Sequence, residues 1–239
     1  MIPAWIVLMF VATIAKVLLA PEPPTSLLEM LAMALPFLLM AAAPVIGFRL
    51  ASGAFPKGRI SAQPSFRLAR YGSWRAASED ELGRGEIAGR AGFLVSLIVG
   101  ILLNVPVRSM EYLAVVPAIK ASAPGWAHLL SLLLTFDVVA MNLLYTVCFV
   151  MALRSMPLFP RMLLFAWILD ILLQLGLASV ASRSTDLPQF VGDAMAGFLT
   201  GNLKKVLASV IIWLPYLLLS DRVNLLFRHR VRVLQPARV

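Results

Sequence analysis

The chain has 239 residues, of which 60% are hydrophobic and only 14% are charged, and its mean hydropathy is +0.87. This composition excludes an ordinary soluble domain, and the length leaves room for one integral membrane domain. The net charge of +9 is concentrated beside apolar stretches, in 49–90 and 222–238. That distribution is typical of membrane proteins and argues against nucleic acid as a partner.

Six apolar stretches are long enough, or nearly so, to cross a hydrocarbon core of ~30 Å at ~1.5 Å per helical residue. They cover residues 2–20, 26–48, 91–107, 126–153, 162–180 and 206–219, the last with helical extensions at both ends. The first has no basic segment before it and no convincing cleavage site, so we interpret it as a retained helix. The sequence therefore predicts an all-α polytopic bundle of about six transmembrane helices.

The second stretch carries local signals for its start and its shape. Ser26 with Glu29 three residues later is a capping-box arrangement, which predicts a helix N-terminus. Pro36 and Pro44 fall inside the stretch, so we expect a kink there.

Polar segments divide the chain into parts. Residues 49–90 are rich in Gly, Ser and Arg, and their acidic patch at 79–81 predicts a short surface helix. Residues 112–119 are too short to cross and are predicted to lie at the membrane interface. The predicted organisation is an N-terminal helix pair, an Arg-rich loop, a four-helix membrane unit and a tail, at 1–48, 49–90, 91–230 and 231–239.

The distribution of Lys and Arg predicts the orientation. If 49–90 is cytoplasmic, that side carries 15 of the 21 basic residues and the other side carries 5, with Lys16 inside the first stretch. Both termini are therefore predicted to be cytoplasmic. The basic loop and tail would then face the anionic inner leaflet of the bilayer, or dock an acidic partner.

Two aspartates lie inside apolar stretches, where a carboxylate is costly to keep. Asp137 falls about eleven residues into the fourth stretch and Asp170 about eight into the fifth, so both are expected near mid-depth. One interpretation is a proton or cation relay, or the polar floor of a substrate cavity. The other is a helix–helix clasp with the nearby amides Gln174, Asn104 and Asn142.

Two further charge pairs are predicted near the outer boundary. Lys16 and Glu29 flank the proline turn that follows the first stretch, so they could pair across it or each extend to the interface. Arg108 and Glu111 are three residues apart at the outer end of the third stretch and are expected to pair there.

The sixth stretch carries a recognisable pattern. Residues 212–223 read Ile-Trp-Leu-Pro-Tyr-Leu-Leu-Leu-Ser-Asp-Arg-Val, and Phe227 follows. This resembles the YdgK-like family of small bacterial inner-membrane proteins, and 91–108 is similar to the first span of that family. The resemblance covers roughly 86–230 and implies an inner-membrane helical bundle without an assigned activity. The residues that match the family motif are Trp213, Pro215, Tyr216, Ser220, Arg222 and Val223.

Pro215 would kink the last helix and open a cavity or a hinge. Alternatively, Trp213 and Tyr216 are packing residues or interfacial anchors.

The sequence contains no catalytic signature, and its two histidines, His128 and His229, are far apart in the predicted topology. We therefore predict no cofactor and no metal. The leading hypothesis is a non-enzymatic accessory or scaffold component that binds a membrane-protein partner or forms a homo-oligomer. The alternative is a small proton- or cation-coupled transporter that uses Asp137 and Asp170.

Overall fold

Helices account for nearly all of the structure, a computed structural model that describes residues 2–55, 73–82, 92–184 and 186–233. The elements in chain order are α1 (Ile2–Leu18), α2 (Leu27–Ala54), β1 (Trp74–Ala76), α3 (Phe93–Val115), α4 (Gly125–Leu153), α5 (Phe159–Arg183), α6 (Gln189–Leu219), α7 (Asp221–Arg228) and β2 (Arg230–Arg232). A short helical segment also forms at 79–82, as the acidic patch predicted.

Within the described residues, the five helices α2 to α6 are long and apolar enough to cross a membrane, and α1 is a shorter apolar helix of 17 residues. The prediction of an all-α membrane bundle is confirmed, and the chain is a multi-pass membrane protein.

The helix α4 is central to the bundle. It packs against α2, α3 and α5, while α1 packs on α2 and α6 packs on α5. Two apolar clusters fill the interior, one toward the end of the bundle where α4 finishes and one toward the end where α4 begins. Along α4 the boundary between them falls between Val138 and Met141, one turn from Asp137.

The close approach of α2 to α4 depends on a glycine. A Cβ atom on Gly47 would lie 3.0 Å from the backbone oxygen of Leu143 and 3.4 Å from Cβ of Thr146.

The predicted start of α2 is confirmed, because the Ser26 hydroxyl accepts a hydrogen bond from the Glu29 N–H at 3.2 Å. Pro36 and Pro44 both lie inside this helix.

One predicted boundary is wrong. The helix α3 does not end near residue 107 but continues through Pro106 to Val115, so the first part of the predicted interfacial segment 112–119 is helical. The helix α6 begins at Gln189, which confirms the helical extension predicted before residue 206. Hydropathy locates the apolar part of a helix, whereas a helix also continues through polar residues that its neighbours shield.

The Arg-rich loop and the tail meet in a small antiparallel sheet. In it Trp74 pairs with Arg232, and Ala76 pairs with Arg230. The sheet places the described part of the loop and the tail on the same side of the bundle.

Candidate functional site

A buried ion cluster joins α3, α4 and α5. The guanidinium of Arg108 lies between two carboxylates: Nη1 donates to Oδ2 of Asp170 at 2.9 Å, and Nη2 donates to Oδ1 of Asp170 at 2.9 Å. The same Nη2 donates to both oxygens of Asp137, at 3.0 and 2.8 Å. Arg108 is 8% exposed, Asp137 4% and Asp170 0%, so all three charged side chains are removed from solvent.

Two neutral side chains complete this arrangement. The hydroxyl of Tyr145 donates to Oδ2 of Asp170 at 2.9 Å. The amide nitrogen of Gln174 lies 3.2 Å from Oδ1 of Asp137 and 3.4 Å from Oδ1 of Asp170, so it contacts both acids. We call these five residues the charge cluster. Hydrogen bonds to ionised groups are the stronger kind in proteins, and here they connect three different helices.

Helical spacing accounts for this convergence. Asp170 and Gln174 are four residues apart on α5, and Asp137 and Tyr145 are eight apart on α4, so each pair shares a helix face. Arg108 is also held on a helix, because α3 continues for about two turns beyond it, and its side chain contacts both aspartates.

A second polar network flanks the charge cluster. The Asn142 amide nitrogen donates to the Ser109 hydroxyl at 2.9 Å, and that hydroxyl donates to the Val105 carbonyl at 2.9 Å. The Asn142 side chain therefore forms its hydrogen bond with α3 and not with the aspartates. Asn104 is half-buried one turn before Arg108 and is not among the groups that the structure shows bonded to either carboxylate.

The charges of the cluster do not balance. One guanidinium faces two carboxylates, which gives a net charge of −1 if both acids are ionised. In addition, Oε1 of Gln174 is buried without a hydrogen-bond partner among the residues that the structure describes. Gln174 also lines a cavity of about 370 Å³ between α5 and α6, together with Ser182 and Thr200. The arrangement can therefore hold one proton or one small cation beside the carboxylates, and Gln174 is the member of the charge cluster that lines the cavity.

The predicted pairing of Arg108 with Glu111 is wrong. Arg108 is bound by the two aspartates, and Glu111 forms an ion pair with Lys205 of α6. The early end predicted for the third span placed Arg108 at the membrane boundary, where an exposed local pair was the natural expectation. Two buried carboxylates require a nearby cation, and this requirement could have identified Arg108 as their partner from the sequence.

The structure also gives Glu29 partners other than Lys16. The Glu29 carboxylate accepts hydrogen bonds from the N–H of Thr25 at 2.6 Å and from its hydroxyl at 2.9 Å. Its ion-pair partner is Lys120, at 3.7 Å. The segment between α3 and α4 brings Lys120 over the start of α2, and no local pattern in the sequence indicates this contact.

The motif at the end of α6 lies in a packed environment. The rings of Trp213 and Tyr216 lie with their centroids 4.5 and 4.9 Å from that of Phe93 on α3. Pro215 lies inside α6, and Val223 on α7 is fully buried. These contacts favour packing as the role of the two aromatic side chains. Ser220 forms the junction of α6 and α7, and the exposed Arg222 lies in the first turn of α7.

The sheet and α7 form a basic surface, which we call the basic platform and define by Arg75, Arg228, Arg230 and Arg232. The guanidinium of Arg230 lies 4.6 Å from the ring centre of Trp74, and its Nε donates to Asn224 at 2.8 Å. Burial, with Arg230 and Arg161 nearby, lowers the pKa of Arg228 to about 10. Arg230 is buried and Arg228 half-buried, so the exposed charge of the platform comes from Arg75 and Arg232.

Hydrogen bonds to a carboxylate also hold the described part of the Arg-rich loop. Arg75 donates to Glu81 at 2.9 Å, and the N–H of Ser78 donates to the same carboxylate at 2.9 Å. These hydrogen bonds, that from Arg75 above all, lower the pKa of Glu81 to about 2.

Comparison of the chain with protein-family models, with curated proteins and with solved structures finds no match in any of the three.

Proposed function

We propose that the chain is a non-enzymatic accessory or scaffold component of a bacterial inner membrane. The observation that supports this is the position of Arg108 between Asp137 and Asp170, which engages both carboxylates and joins three helices. The buried charges thereby fix the relative positions of α3, α4 and α5. A rigid bundle of this kind suits a protein that acts by holding a surface in place.

The basic platform is the surface that we propose for this role. Its strands tie the loop to the tail, and Arg232 is exposed at its surface, whereas the exposed Arg75 is paired with Glu81. Positive side chains next to a membrane bind anionic headgroups at about 1 kcal/mol each, and they equally suit an acidic segment of a partner protein. The proposed partners are therefore the anionic inner leaflet together with a membrane-protein partner or a second copy of the chain.

We place the platform and both termini in the cytoplasm. The excess of Lys and Arg on that side supports this orientation, and the pairing of β1 with β2 is consistent with it. Membership of the YdgK-like family is likewise proposed, on the residues around Trp213 and Pro215.

The test is purification of the tagged protein from native membranes in a mild detergent, followed by mass spectrometry and a mass measurement of the complex. We expect a stoichiometric partner or a homo-oligomer. We also expect Arg232→Glu to weaken that association, whereas Lys204→Glu, an exposed basic residue in the middle of α6, leaves it unchanged. A strictly monomeric protein without partners would overturn the proposal.

A second candidate function is proton- or cation-coupled transport. The specific observation in its favour is the unbalanced charge of the cluster, next to a cavity that Gln174 lines, while Oε1 of Gln174 is buried without a hydrogen-bond partner among the described residues. One carboxyl can bind and release a proton while the other stays paired with Arg108. Exchange of that kind is the elementary step of a coupled transporter.

Infrared difference spectroscopy of the reconstituted protein tests this candidate. A protonated carboxyl gives its own C=O stretching band, and we expect that band at neutral pH in the wild type and in Asp193→Asn, which changes an exposed acid on α6. The band should be absent in Asp137→Asn and in Asp170→Asn, because one guanidinium then faces one carboxylate. A wild-type protein without the band at neutral pH, in the absence of added metal cations, would exclude a stored proton.

A further inference from the structure

A groove separate from the charge cluster opens between the first halves of α2 and α4. Its volume is about 720 Å³. Polar residues, among them Glu29 and His128, line it where α2 begins, whereas Pro36, Phe37 and Leu39 line it further along. The cavity is within the size range of ligand sites in proteins, roughly 300 to 1,000 Å³.

Glu29 lines the polar end of the groove, and Lys120 lies beside that carboxylate, between the lining residues Ile119 and Ala121. Nζ of Lys120 lies 3.7 Å from the Glu29 carboxylate, and the two side chains are only 16% and 22% exposed. This distance is longer than a hydrogen bond, so the ammonium keeps donors for a further acceptor. Hydrogen bonds from Thr25 hold the carboxylate in place, and its Oε1 faces Lys120.

The remainder of the groove is apolar and elongated. From Thr25 to Leu39 it follows α2 for about 20 Å, at 1.5 Å per residue. The lining leucines Leu28, Leu35 and Leu39 are exposed on a helix that is apolar enough to cross a membrane, so the groove is open to lipid chains along its length. A molecule that fits it has an apolar chain at one end and a headgroup with both charges at the other.

We propose that the groove binds one glycerophospholipid with a zwitterionic amine headgroup, such as phosphatidylethanolamine. The phosphate meets the ammonium of Lys120, the amine of the headgroup meets the carboxylate of Glu29, and an acyl chain follows α2 past Phe37. A purely anionic headgroup fits less well, because it meets the Glu29 carboxylate without a cation of its own. This site is independent of the partner and of the proton proposed above.

The test measures lipid retention by native mass spectrometry. The protein is reconstituted into vesicles of equal parts phosphatidylethanolamine and phosphatidylglycerol, extracted in mild detergent, and its bound lipids are counted. The wild type should keep one phosphatidylethanolamine. Lys120→Gln should reduce its occupancy about tenfold, the loss of one charged hydrogen bond. Ala32→Trp should do the same by filling the groove, whose lining includes Ala32.

The matched control is Lys205→Gln, which removes an ammonium that also pairs with a glutamate, Glu111, outside the groove. It should leave retention unchanged, and circular dichroism checks that every variant is folded. Equal retention of the two lipids by the wild type would overturn the selection of the headgroup. Unchanged retention in Ala32→Trp would overturn the groove as the site, and equal losses in both lysine variants would show a general charge effect and overturn the role of Lys120.

Discussion

The cost of removing carboxylates from the charge cluster should depend strongly on how many are removed. With Asp137→Asn, Arg108 keeps its paired bonds to Asp170, both at 2.9 Å, and the guanidinium faces one carboxylate. We expect this variant to lose less than about 1 kcal/mol of unfolding free energy. Asp170→Asn also disturbs the bond from Tyr145, so we expect about 1 to 2 kcal/mol.

The double variant is different in kind, because it leaves the guanidinium buried with no anion beside it. Removing the partner of a buried charge costs about 3 to 5 kcal/mol. At the middle of these ranges the double variant should therefore lose about 2 kcal/mol more than the sum of the single variants, a coupling measurable in a double-mutant cycle. Adding Arg108→Met to the double variant removes the orphaned charge and should recover most of this coupling.

The assay is reversible unfolding in mixed micelles, with helical content followed as the denaturing detergent increases. A second cycle of Asp193→Asn with Asp170→Asn provides the control, because Asp193 is exposed on α6 and that cycle should be additive. The reasoning fails if the cycle of the two buried acids is also additive. It fails equally if Asp137→Asn alone destabilises the protein as much as the double variant does.

Three further predictions concern packing, one hydrogen bond and pH. Gly47→Ala should destabilise the bundle by about 1 to 3 kcal/mol because its Cβ would press on α4, whereas Gly53→Ala on the same helix has open space and should be neutral or stabilising in the same unfolding assay. Tyr145→Phe should cost about 1 kcal/mol in that assay, through the lost bond to Asp170. Glu81 has its pKa lowered from 4.5 to about 2, so its contribution to the order of the loop is complete above pH 4.5 and lost as the pH falls toward 2. Carboxyl NMR of Glu81 should give the low midpoint, and Arg75→Gln should raise it.

The sequence predicted the parts of the fold that follow from local chemistry. The start of α2 depends on Ser26 and Glu29, and the helical segment at 79–82 depends on the reciprocal hydrogen bonds of Ser78 and Glu81. Both signals act within one turn of helix and are therefore visible in the sequence. The class of the protein was equally predictable, because membrane-spanning helices need long apolar segments.

The partners of the charged residues were not predictable in the same way. Arg108 and Asp170 are 62 residues apart, and Glu111 and Lys205 are 94 apart. Which of these side chains meet depends on helix rotation and on where α3 ends, and no local pattern sets either quantity. The local prediction for Arg108 failed because it used the neighbour three residues away. The acids were identified, but their cation was not.

The second carboxylate of the cluster separates the two proposed functions. A clasp of α3 with one neighbouring helix needs only Arg108 and one acid, whereas joining all three helices uses both acids, at the cost of one buried negative charge that the guanidinium does not balance. That cost is removed when the Asp137 carboxyl holds a proton. Gln174, which contacts Asp137, also lines the cavity between α5 and α6. If Asp137→Asn keeps both the stability and the partner of the wild type, Asp137 is unnecessary for the scaffold. The proton-binding step would then be the remaining reason for an acid at that position.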